Sequence, residues 1–548
     1  MWRPETRARV PTLLLRTPYG VADAQQGLYA HPSIYAEHGY AVVVQDVRGR
    51  WLSGGEFEPF RQEAADGAAT VDWLARQPWS DGRVGMYGMS YPGAAQLLAA
   101  ARRPSALRAI APAMTAGDLW SGWFYEHGVL SLSLVAYWAA ILAVDTSRRA
   151  GDVAAVSELQ AMCAYPETIY DRYDVVAPEA LLGKAGARYA PYLAQWLEHR
   201  TRDAYWESLA PANLHEQIVV PALHIAGWFD VLLTGTLDAY RRLSAVGHAP
   251  QHLVIGPWAH EPWSAVVGER DLGEAAANRV DELQLRWFGH WLRDEDPGLA
   301  PVTVFVLGAN RWREEDRWPP PAAHLSRLHL RSATRANSLS GDGRLTAESP
   351  GAEPHDRFLH NPQAPVTTVG GRGCSVTNGT IVGPRDQRGV EARNDVLVYD
   401  TAPAQTHVLI AGEVHCQLYV SLPEVTADYV VRLVHVAQDG STFAVTDAIA
   451  RIAAAGTTSS ATAEVATAAV GVARLRMALG DCCLALTAGE RVRLDICGSS
   501  FPRFERNWNG HPPRLAPLAF TEATALQRVF HDVRFPSAIM LPVLEGRL

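Results

Sequence analysis

The first third of the chain alternates short apolar runs with segments of helical spacing. The runs TLLL at 12–15 and AVVV at 41–44 predict buried strands, and residues 31–38 and 63–76 have the spacing of helices. Fully apolar strands that alternate with helices are typical of a mostly parallel sheet covered on both faces. Each predicted strand ends in a polar loop, and such sheets bind ligands at the carboxyl ends of their strands. We therefore expect these loops to lie together along one edge of the sheet, where the carboxyl ends of its parallel strands meet. We call this edge the rim.

The pattern changes at about residue 115 to a long helical region, rich in aromatic residues, that continues to about residue 210. Aromatic residues at helical spacing are more often core than ligand pocket. A helical insertion between the strands of a sheet is nevertheless a common form of lid. Within this region the uncharged run 128–144 falls just short of the ~18–20 apolar residues that a membrane span requires. This length favours a buried helix.

Strand signals return at 219–226 and 252–255, and an amphipathic helix near 280–291 follows them. After the proline-rich link WPPP at 318–321, apolar and polar residues alternate, as in 414–421. This period of two, interrupted by turns, predicts an all-β sandwich.

These changes of pattern predict four segments. Residues 1–115 and 211–300 form a discontinuous α/β domain, residues 116–210 form a helical cap, and residues 301–548 form the sandwich. The glycine-rich run 370–373 lacks the strand-to-helix context of a dinucleotide site and predicts a turn.

The run VGMYGMSYPG at 84–93 predicts a short strand, a tight turn and a helix from about 94 to 103. Such a corner holds its apex residue, Ser90, in a strained backbone conformation with the side chain above the sheet. A serine hydroxyl at a helix N-terminus suits nucleophilic attack on a carbonyl. The second glycine, Gly93, falls one place later than in the usual motif, and many such turns are only turns. Ser90 alone therefore does not establish catalysis.

Two further polar residues follow predicted strands directly, Asp230 in GWFD and His260 in GPWAH. Each has an ordinary structural explanation, because a loop Asp usually caps a turn and a lone His is usually just hydrogen-bonded. Together with Ser90 they come in the order nucleophile, acid, histidine, which is the order of the α/β-hydrolase triad. This agreement favours a catalytic Ser90–Asp230–His260 triad.

The composition is that of an ordinary globular protein, and it limits the classes of molecule that the protein is expected to bind. The net charge of −9 and the lack of a basic run argue against nucleic acid. The six cysteines lack the spacings of a zinc site and are sparse for a disulfide scaffold, which favours reduced thiols in a cytoplasmic protein without a metal or other cofactor. The polar start at residues 1–9 does not resemble a signal peptide. We expect no membrane partner, and the sequence leaves a homo-oligomer open.

Segments along nearly the whole chain match the motifs of one known family. They are RTPY at 16–19, DVRG at 46–49 with Ser53 and Gly55, GMSYPG at 88–93, GWFD at 227–230, GPWAH at 256–260, VFVLG at 304–308, DVLVY at 395–399 and SFPRF at 500–504. The chain therefore resembles the cocaine esterase and X-prolyl dipeptidyl-peptidase (CocE/NonD) family of α/β-hydrolases. The resemblance implies an α/β-hydrolase domain with a helical cap, a C-terminal all-β jelly-roll sandwich, and action on ester or amide bonds.

The resemblance also implies an oxyanion hole made by the Tyr19 hydroxyl and the backbone N–H of Tyr91. Two donors aimed at the developing oxyanion are what the tetrahedral intermediate of acyl transfer needs. At the start of the chain the sequence departs from the family, which usually has a β-hairpin before the segment that ends in a Trp-Arg-Pro sequence, here residues 2–4. Without this hairpin, residues 12–15 are expected near an unprotected sheet edge.

A second departure concerns the substrate. Relatives that cleave α-amino acid esters need acidic side chains to hold the ammonium group, some of them just after the triad aspartate, whereas residues 231–234 here are VLLT. An ammonium group buried there would lose hydration without a carboxylate in return. With Trp123, Phe124 and Phe229 expected to line the acyl site, the sequence predicts a neutral apolar or aromatic acyl group.

The main hypothesis is thus a serine hydrolase, of the carboxylesterase or acylase type, with a small-molecule ester or amide as substrate. Within the enzyme class, the alternatives are an X-Pro dipeptidyl aminopeptidase and an α-amino acid ester hydrolase, for which Asp118 of the cap is a candidate carboxylate. From a different class, the alternative is a carbohydrate-binding protein with an inert hydrolase domain, against which the complete triad argues.

Overall fold

The computed structural model describes residues 1–22, 28–170, 178–374, 382–454, 463–510 and 524–548 of the chain. These residues form two main β-structures. One is an eight-stranded sheet covered by helices, and the other is a larger all-β assembly. A helical region lies between β4 and β7 of the first sheet. The predicted α/β domain followed by an all-β sandwich is confirmed.

The strands are β1 (Val10–Thr17), β2 (Ala41–Asp46), β3 (Ser80–Met89), β4 (Leu107–Ala113), β5 (Tyr125–Glu126), β6 (Val129–Leu130), β7 (Ala222–Phe229), β8 (Gln251–Ala259), β9 (Val266–Val267), β10 (Arg270–Asp271), β11 (Val302–Val306), β12 (Arg311–Glu315), β13 (His324–Arg331), β14 (Arg344–Thr346), β15 (Asp356–His360), β16 (Leu397–Asp400), β17 (Val408–Ser421), β18 (Thr426–Val436), β19 (Thr442–Ala453), β20 (Ala463–Ala469), β21 (Val472–Leu486), β22 (Arg491–Cys497), β23 (Ala525–Phe530) and β24 (Ala538–Glu545). The α-helices are α1 (Pro32–Glu37), α2 (Glu63–Ala75), α3 (Tyr91–Ala100), α4 (Leu132–Arg149), α5 (Val153–Ala164), α6 (Glu167–Tyr170), α7 (Pro178–Tyr189), α8 (Tyr192–Glu198), α9 (Ala204–Leu209), α10 (Leu214–Gln217), α11 (Leu233–Val246), α12 (Val280–Arg293) and α13 (Arg388–Glu391).

The first sheet has the order β12-β11-β8-β7-β4-β3-β1-β2 and is parallel except for β12. Strand β1 lies between β2 and β3, so residues 12–15 are one strand away from the edge of the sheet and are paired on both sides. The edge strand is β2, and Trp2 forms a bridge with it through two backbone hydrogen bonds to Val42, of 3.0 and 2.8 Å. Apolar runs indicate that a strand is buried, but they do not give its place in the order of the sheet.

Strands β11 and β12 belong to the first sheet, where β11 pairs in parallel with β8. The sheet therefore continues to Glu315, beyond the predicted boundary at residue 301. The reason is that an apolar run such as 302–306 reads equally well as a parallel core strand and as a sandwich strand. The proline-rich link at 318–321, between β12 and β13, marks the change of sheet more closely than the predicted boundary at residue 301.

The cap region contains a π-helical turn at Trp120–Phe124 and helices α4 to α10. The uncharged run 128–144 falls into the short strand β6 and most of α4, whose residues are largely buried. Among the described residues, none of the helices has the length and apolar character that a bilayer crossing requires. The run is buried instead against the other cap helices.

The sandwich contains β13 to β24, and its longest pairing is the antiparallel one between β17 and β21. In β17 the alternate apolar residues 414, 416, 418 and 420 are fully buried, as the period of two predicts. The run 370–373 is more than the expected turn. Its first two glycines have positive φ, but Gly373 pairs with Asp230, and its N–H donates to the Phe229 carbonyl at 3.0 Å.

A buried ionic cluster joins the three parts of the fold at this junction. Arg372 donates to the Thr234 hydroxyl of α11 at 2.7 Å, and Arg503 donates to both Asp447 carboxylate oxygens and to Glu126 of the cap. Burial raises the pKa of Asp447, but the charges of Arg503 and Arg372 outweigh it and hold the pKa at about 2. A cluster of this kind is stable only while every charge keeps its partner, so it fixes the sandwich against the end of β7.

Candidate active site

Ser90 occupies the apex of the turn between β3 and α3. Its backbone has φ 64° and ψ −125°, a left-handed conformation that a side chain rarely adopts, and its N–H donates to the Ala113 carbonyl at 2.9 Å. The residue is 7% exposed. The sequence thus forms the strained strand-to-helix corner that the run 84–93 predicts.

Two glycines make this corner sterically feasible. A Cβ at Gly88, where φ is +139°, would lie 2.5 Å from Cβ of Pro92. A Cβ at Gly93 would lie 2.7 Å from Cβ of Thr115, because α3 passes close to the segment that follows β4. The late position of the second glycine therefore has a packing reason, since it sits where the helix meets Thr115.

Asp230 and His260 follow neighbouring parallel strands whose last residues are in register. Phe229 of β7 pairs with Ala259 of β8, so the next residue of each strand emerges at the same level of the rim. His260 Nδ1 lies 2.7 Å from Asp230 Oδ1, and both side chains are buried. This bond to Nδ1 leaves Nε2 as the nitrogen that can exchange a proton with another group.

The environment of His260 favours its protonated form. Burial lowers the pKa of the imidazole, but the charge of Asp230 and its hydrogen bond, together with the charge of Glu261, outweigh burial and raise the pKa above its ordinary value. A histidine whose cationic form is stabilised by a buried carboxylate is suited to accept a proton during a reaction.

The Tyr19 hydroxyl lies at the same place. Trp138 of α4 donates its indole N–H to this hydroxyl at 3.0 Å, and the Ser90 side chain is near enough to lower the pKa of the phenol. Burial outweighs both neighbours and raises the pKa of Tyr19 well above its usual range. The phenol therefore remains protonated and able to donate a hydrogen bond next to Ser90.

Tyr91 contributes its backbone and its side chain separately. As the first residue of α3, it has an N–H without an acceptor within the helix. Its hydroxyl points the other way, donating to Glu63 Oε1 and accepting from the Phe60 N–H, each at 3.0 Å. Glu63 in turn pairs with buried Arg16 of β1, so this chain of bonds anchors the corner to the strand that leads to Tyr19.

A pair of threonines links the corner to the helix that follows Asp230. Thr115 donates its hydroxyl to the Ser90 carbonyl at 2.8 Å and its N–H to the Thr236 hydroxyl of α11 at 2.9 Å. Thr236 donates back to the Thr115 carbonyl at 2.8 Å. The loops of Ser90 and Asp230 are therefore held in a fixed relation by buried bonds.

Of the three residues predicted to line an acyl pocket, Trp123 and Phe124 lie side by side in the cap, with 6.5 Å between ring centroids. Trp123 lies beside Trp138, with 5.5 Å between ring centroids. Phe124 is packed inside the cap, 4.6 and 4.9 Å from the rings of Trp196 and Trp206. Both rings therefore neighbour Trp138, the tryptophan that contacts Tyr19, with 6.1 Å between the centroids of Phe124 and Trp138.

Phe229 belongs to a different hydrophobic cluster from the two cap residues, and its place in the acyl pocket stays a prediction. It belongs to the core between the first sheet and the sandwich and faces a cavity of about 180 Å³ that Arg270 and Phe443 also line. The strand period explains the difference, because consecutive side chains point to opposite faces and Asp230 takes the side of the active rim.

Two carboxylates are relevant to the candidate site, and the sequence analysis named one of them, Asp118, but not the other, Glu261. Asp118, the candidate in the cap, pairs with Arg202 at 3.1 Å and accepts from the Ser121 N–H, so its charge is already engaged. Glu261, directly after His260, is close enough for its charge to raise the pKa of Tyr19. Within the described ranges, no group of three or more His, Cys, Asp or Glu residues is arranged to hold a metal ion.

Three residues of the site were missed by the sequence reasoning: Trp138, Thr115 and Glu261. Glu261 could have been found from its position next to His260, and Thr115 from its place directly after an apolar strand. Trp138 contacts Tyr19 across 119 residues of sequence, and no local pattern carries such a contact.

Comparison with known proteins adds to this geometry. Residues 1–262 match the X-Pro dipeptidyl-peptidase (S15 family), and residues 298–539 match the X-Pro dipeptidyl-peptidase C-terminal non-catalytic domain. The chain is 32% identical over 559 residues to cocaine esterase of Rhodococcus sp. (strain MB1 Bresler), an alignment that covers 100% of this chain and 96% of that protein.

Two solved structures have a similar fold over 99% of this chain and 93% of their own. One is an aminopeptidase from the marine sediment archaeon Thaumarchaeota archaeon, with a TM-score of 0.80 and 23% identity. The other is an alpha-amino acid ester hydrolase labelled with selenomethionine, with a TM-score of 0.79 and 22% identity. These two structures show the fold. The full-length identity to cocaine esterase and the matches in both domains show that this chain belongs to the cocaine esterase and X-Pro dipeptidyl-peptidase family of α/β-hydrolases.

Proposed function

We propose that this protein is a serine hydrolase that cleaves carboxylic ester or amide bonds through an acyl intermediate on Ser90. The observation that carries the proposal is the buried pair His260–Asp230, bonded at 2.7 Å on the rim where Ser90 sits at a strained apex. The full-length likeness to a cocaine esterase supports an ester as the bond that is cleaved.

In the first half-reaction, Ser90 Oγ attacks the substrate carbonyl while its proton passes to Nε2 of His260. Asp230 holds Nδ1–H and stabilises the imidazolium that forms. The tetrahedral intermediate collapses, and His260 gives the proton to the departing alkoxide or amine. In the second half-reaction, water gives a proton to His260 and attacks the acyl-Ser90 ester, which releases the carboxylic acid and restores Ser90.

The oxyanion of each tetrahedral intermediate needs donors that are in place before the charge develops. The proposed donors are the Tyr19 hydroxyl and the Tyr91 N–H. Tyr19 is supported by its protonated state and by its nearness to the Ser90 side chain, and Tyr91 by its position at the start of α3. Trp138 supports Tyr19 indirectly, since its indole fixes the phenolic oxygen.

We expect Tyr19→Phe to lower kcat by about 10²–10³-fold with little change in KM, because it removes one donor that is felt mainly in the transition state. Steady-state kinetics on an aryl ester measure both constants. A matched control is Tyr192→Phe, since the Tyr192 hydroxyl is buried and has no hydrogen-bond partner in the described part of the chain. An effect of Tyr19→Phe on KM alone would instead place Tyr19 among ordinary binding residues.

The acyl group is proposed to be neutral and apolar or aromatic. Leu232 and Leu233, which follow the triad aspartate, are each 1% exposed and offer no charge to an ammonium group. Trp123 and Trp138 supply flat apolar surface close to Tyr19. The carboxylate that competes with this interpretation is Glu261, whose charge reaches Tyr19.

We expect kcat/KM for a benzoyl or short aliphatic ester to exceed that for the matching α-aminoacyl ester by at least about tenfold, equivalent to ~1.4 kcal/mol of transition-state binding. The sharpest pair of substrates is a phenylglycine ester and its des-amino analogue, which differ by the ammonium group alone. Faster turnover of the phenylglycine ester would favour an α-amino acid ester hydrolase. Glu261→Gln would then be expected to remove that advantage.

Labelling with a fluorophosphonate probe separates the hydrolase from a carbohydrate-binding protein with an inert hydrolase domain, because only a working nucleophile reacts. A panel of X-Pro amides beside the aryl esters tests the dipeptidyl aminopeptidase alternative. A cytoplasmic location and a homo-oligomeric state stay predictions.

A further inference from the structure

Arg50 is a buried arginine in the loop after β2, only 1% exposed, that the proposed reaction does not use. Its side chain lies between that loop, the segment that carries Tyr19, and helix α4 of the cap. A fully buried guanidinium is costly unless several acceptors surround it. Its partners therefore indicate what it holds together.

On one side, Arg50 Nε donates to the Pro18 carbonyl at 2.9 Å. This carbonyl belongs to the peptide bond that joins Pro18 to Tyr19, so the bond fixes the backbone at the base of the Tyr19 side chain. Tyr19 N–H in turn donates to the Thr17 hydroxyl at 3.2 Å. The peptide group that joins Pro18 to Tyr19 is thus held at both its carbonyl and its N–H.

On the other side, Arg50 Nη1 donates to the Leu142 carbonyl at 2.8 Å and to the Thr146 hydroxyl at 3.2 Å. Both acceptors belong to α4, and Leu142 is one helical turn beyond Trp138. The same guanidinium therefore sets the distance between Tyr19 and the helix whose indole donates to its hydroxyl.

Two further contacts restrict the guanidinium itself. Asp145 of α4 lies 3.5 Å from it and also accepts the Trp51 N–H, and the ring of Phe57 lies 4.8 Å from the guanidinium carbon. The planar guanidinium of arginine can donate to acceptors on opposite sides at the same time, whereas a lysine ammonium is a point charge on a flexible side chain. A lysine at this position would keep the charge opposite Asp145 but not both sets of bonds.

We propose that Arg50 is a positioning residue for the oxyanion hole, holding Tyr19 in register with Trp138 and Ser90 by clamping the Pro18 carbonyl to α4. The inference rests on the proposed role of Tyr19. Its consequence is that Arg50 contributes to rate only through the Tyr19 hydroxyl, not through substrate contact.

A double-mutant cycle tests this dependence, because residues that act through one another are not additive. We expect Arg50→Lys to lower kcat roughly tenfold with KM within about twofold, since a displaced donor loses its alignment. In the Tyr19→Phe background, the same substitution should change kcat by less than about twofold. Arg149→Lys is the matched control, since Arg149 of α4 donates to carbonyls of the same loop, at Trp51 and Ser53, but not to Pro18.

Amide hydrogen exchange provides a readout that needs no turnover. In Arg50→Lys, exchange should quicken in residues 16–21, while in Arg149→Lys it should not. If Arg50→Lys does not yield folded protein, Arg50→Gln, which keeps one amide donor, takes its place in the same cycle. An equal loss of kcat in both backgrounds, or no loss in either, would overturn the inference while leaving the hydrolase intact. If Tyr19→Phe alone leaves kcat unchanged, the proposed oxyanion role fails and the inference fails with it.

Discussion

Ser90→Ala is expected to abolish labelling by a fluorophosphonate probe and to lower kcat for an aryl ester by about 10⁴–10⁶-fold. The reason is that the three triad members act as a unit, so the loss of the nucleophile leaves only the contribution of binding and of the oxyanion donors. Ser90 is also the residue whose backbone is strained at the apex of the corner, with φ 64°. Alanine fits the same space, so the measurement concerns the hydroxyl rather than the fold.

The matched control for this substitution is Ser147→Ala. Ser147 is a buried serine of α4 whose hydroxyl donates to the Val144 carbonyl at 2.9 Å, away from the rim. This variant should be labelled by the probe at the rate of the unaltered protein. Retention of more than about a tenth of the activity by Ser90→Ala would rule Ser90 out as the nucleophile, since a triad without its nucleophile loses several orders of magnitude.

Much of the fold followed from the sequence because its signals are local. Buried strands such as β1 and β2 are continuous apolar runs, and one short segment of sequence contains the whole motif that forms the corner around Ser90. The order of a sheet is not local. The periodicity of apolar residues does not show which strands pair. It therefore predicts neither the place of β1 between its two neighbours nor the membership of β11 in the first sheet.

The candidate site shows the same division. Asp230 and His260 were predicted because each ends an apolar strand, and the register of Phe229 with Ala259 brings them together. The residues that line the pocket stay predictions, because the lining depends on which face of an element each side chain takes. Phe229 points into the junction with the sandwich, and the contact of Trp138 with Tyr19 joins two distant parts of the chain.

The contacts between the sandwich and the rim could not be predicted from the sequence either. The run 370–373 reads as a turn, yet Gly373 pairs with Asp230 and Arg372 reaches Thr234 just beyond it. Asp230, the proposed triad acid, therefore contacts both domains. This arrangement gives a physical reason for the two domains to act as one enzyme, because displacement of the sandwich would move the group that orients His260.

Asp230→Asn tests this acid directly. We expect kcat to fall by about 10⁴-fold, because a neutral amide can donate to Nδ1 of His260 and so place the imidazole proton on Nε2, the nitrogen that must accept the Ser90 proton. The fold should survive, since the amide is nearly isosteric with the carboxylate. Equal melting temperatures for the variant and the unaltered protein check that the loss of rate is chemical.

The pH dependence of the residual activity gives a second, independent readout. His260 must be neutral to act as a base, so kcat/KM falls as pH falls through its pKa. In the unaltered protein Asp230 raises this pKa against the effect of burial, which places the acid limb above the ordinary histidine value of 6.5. Without the carboxylate charge, burial dominates and lowers the pKa, so the acid limb of Asp230→Asn should move to lower pH. Asp118→Asn, which removes a charge in the cap, should leave the limb in place. An unchanged limb in Asp230→Asn would mean that Asp230 does not set the pKa of the catalytic base.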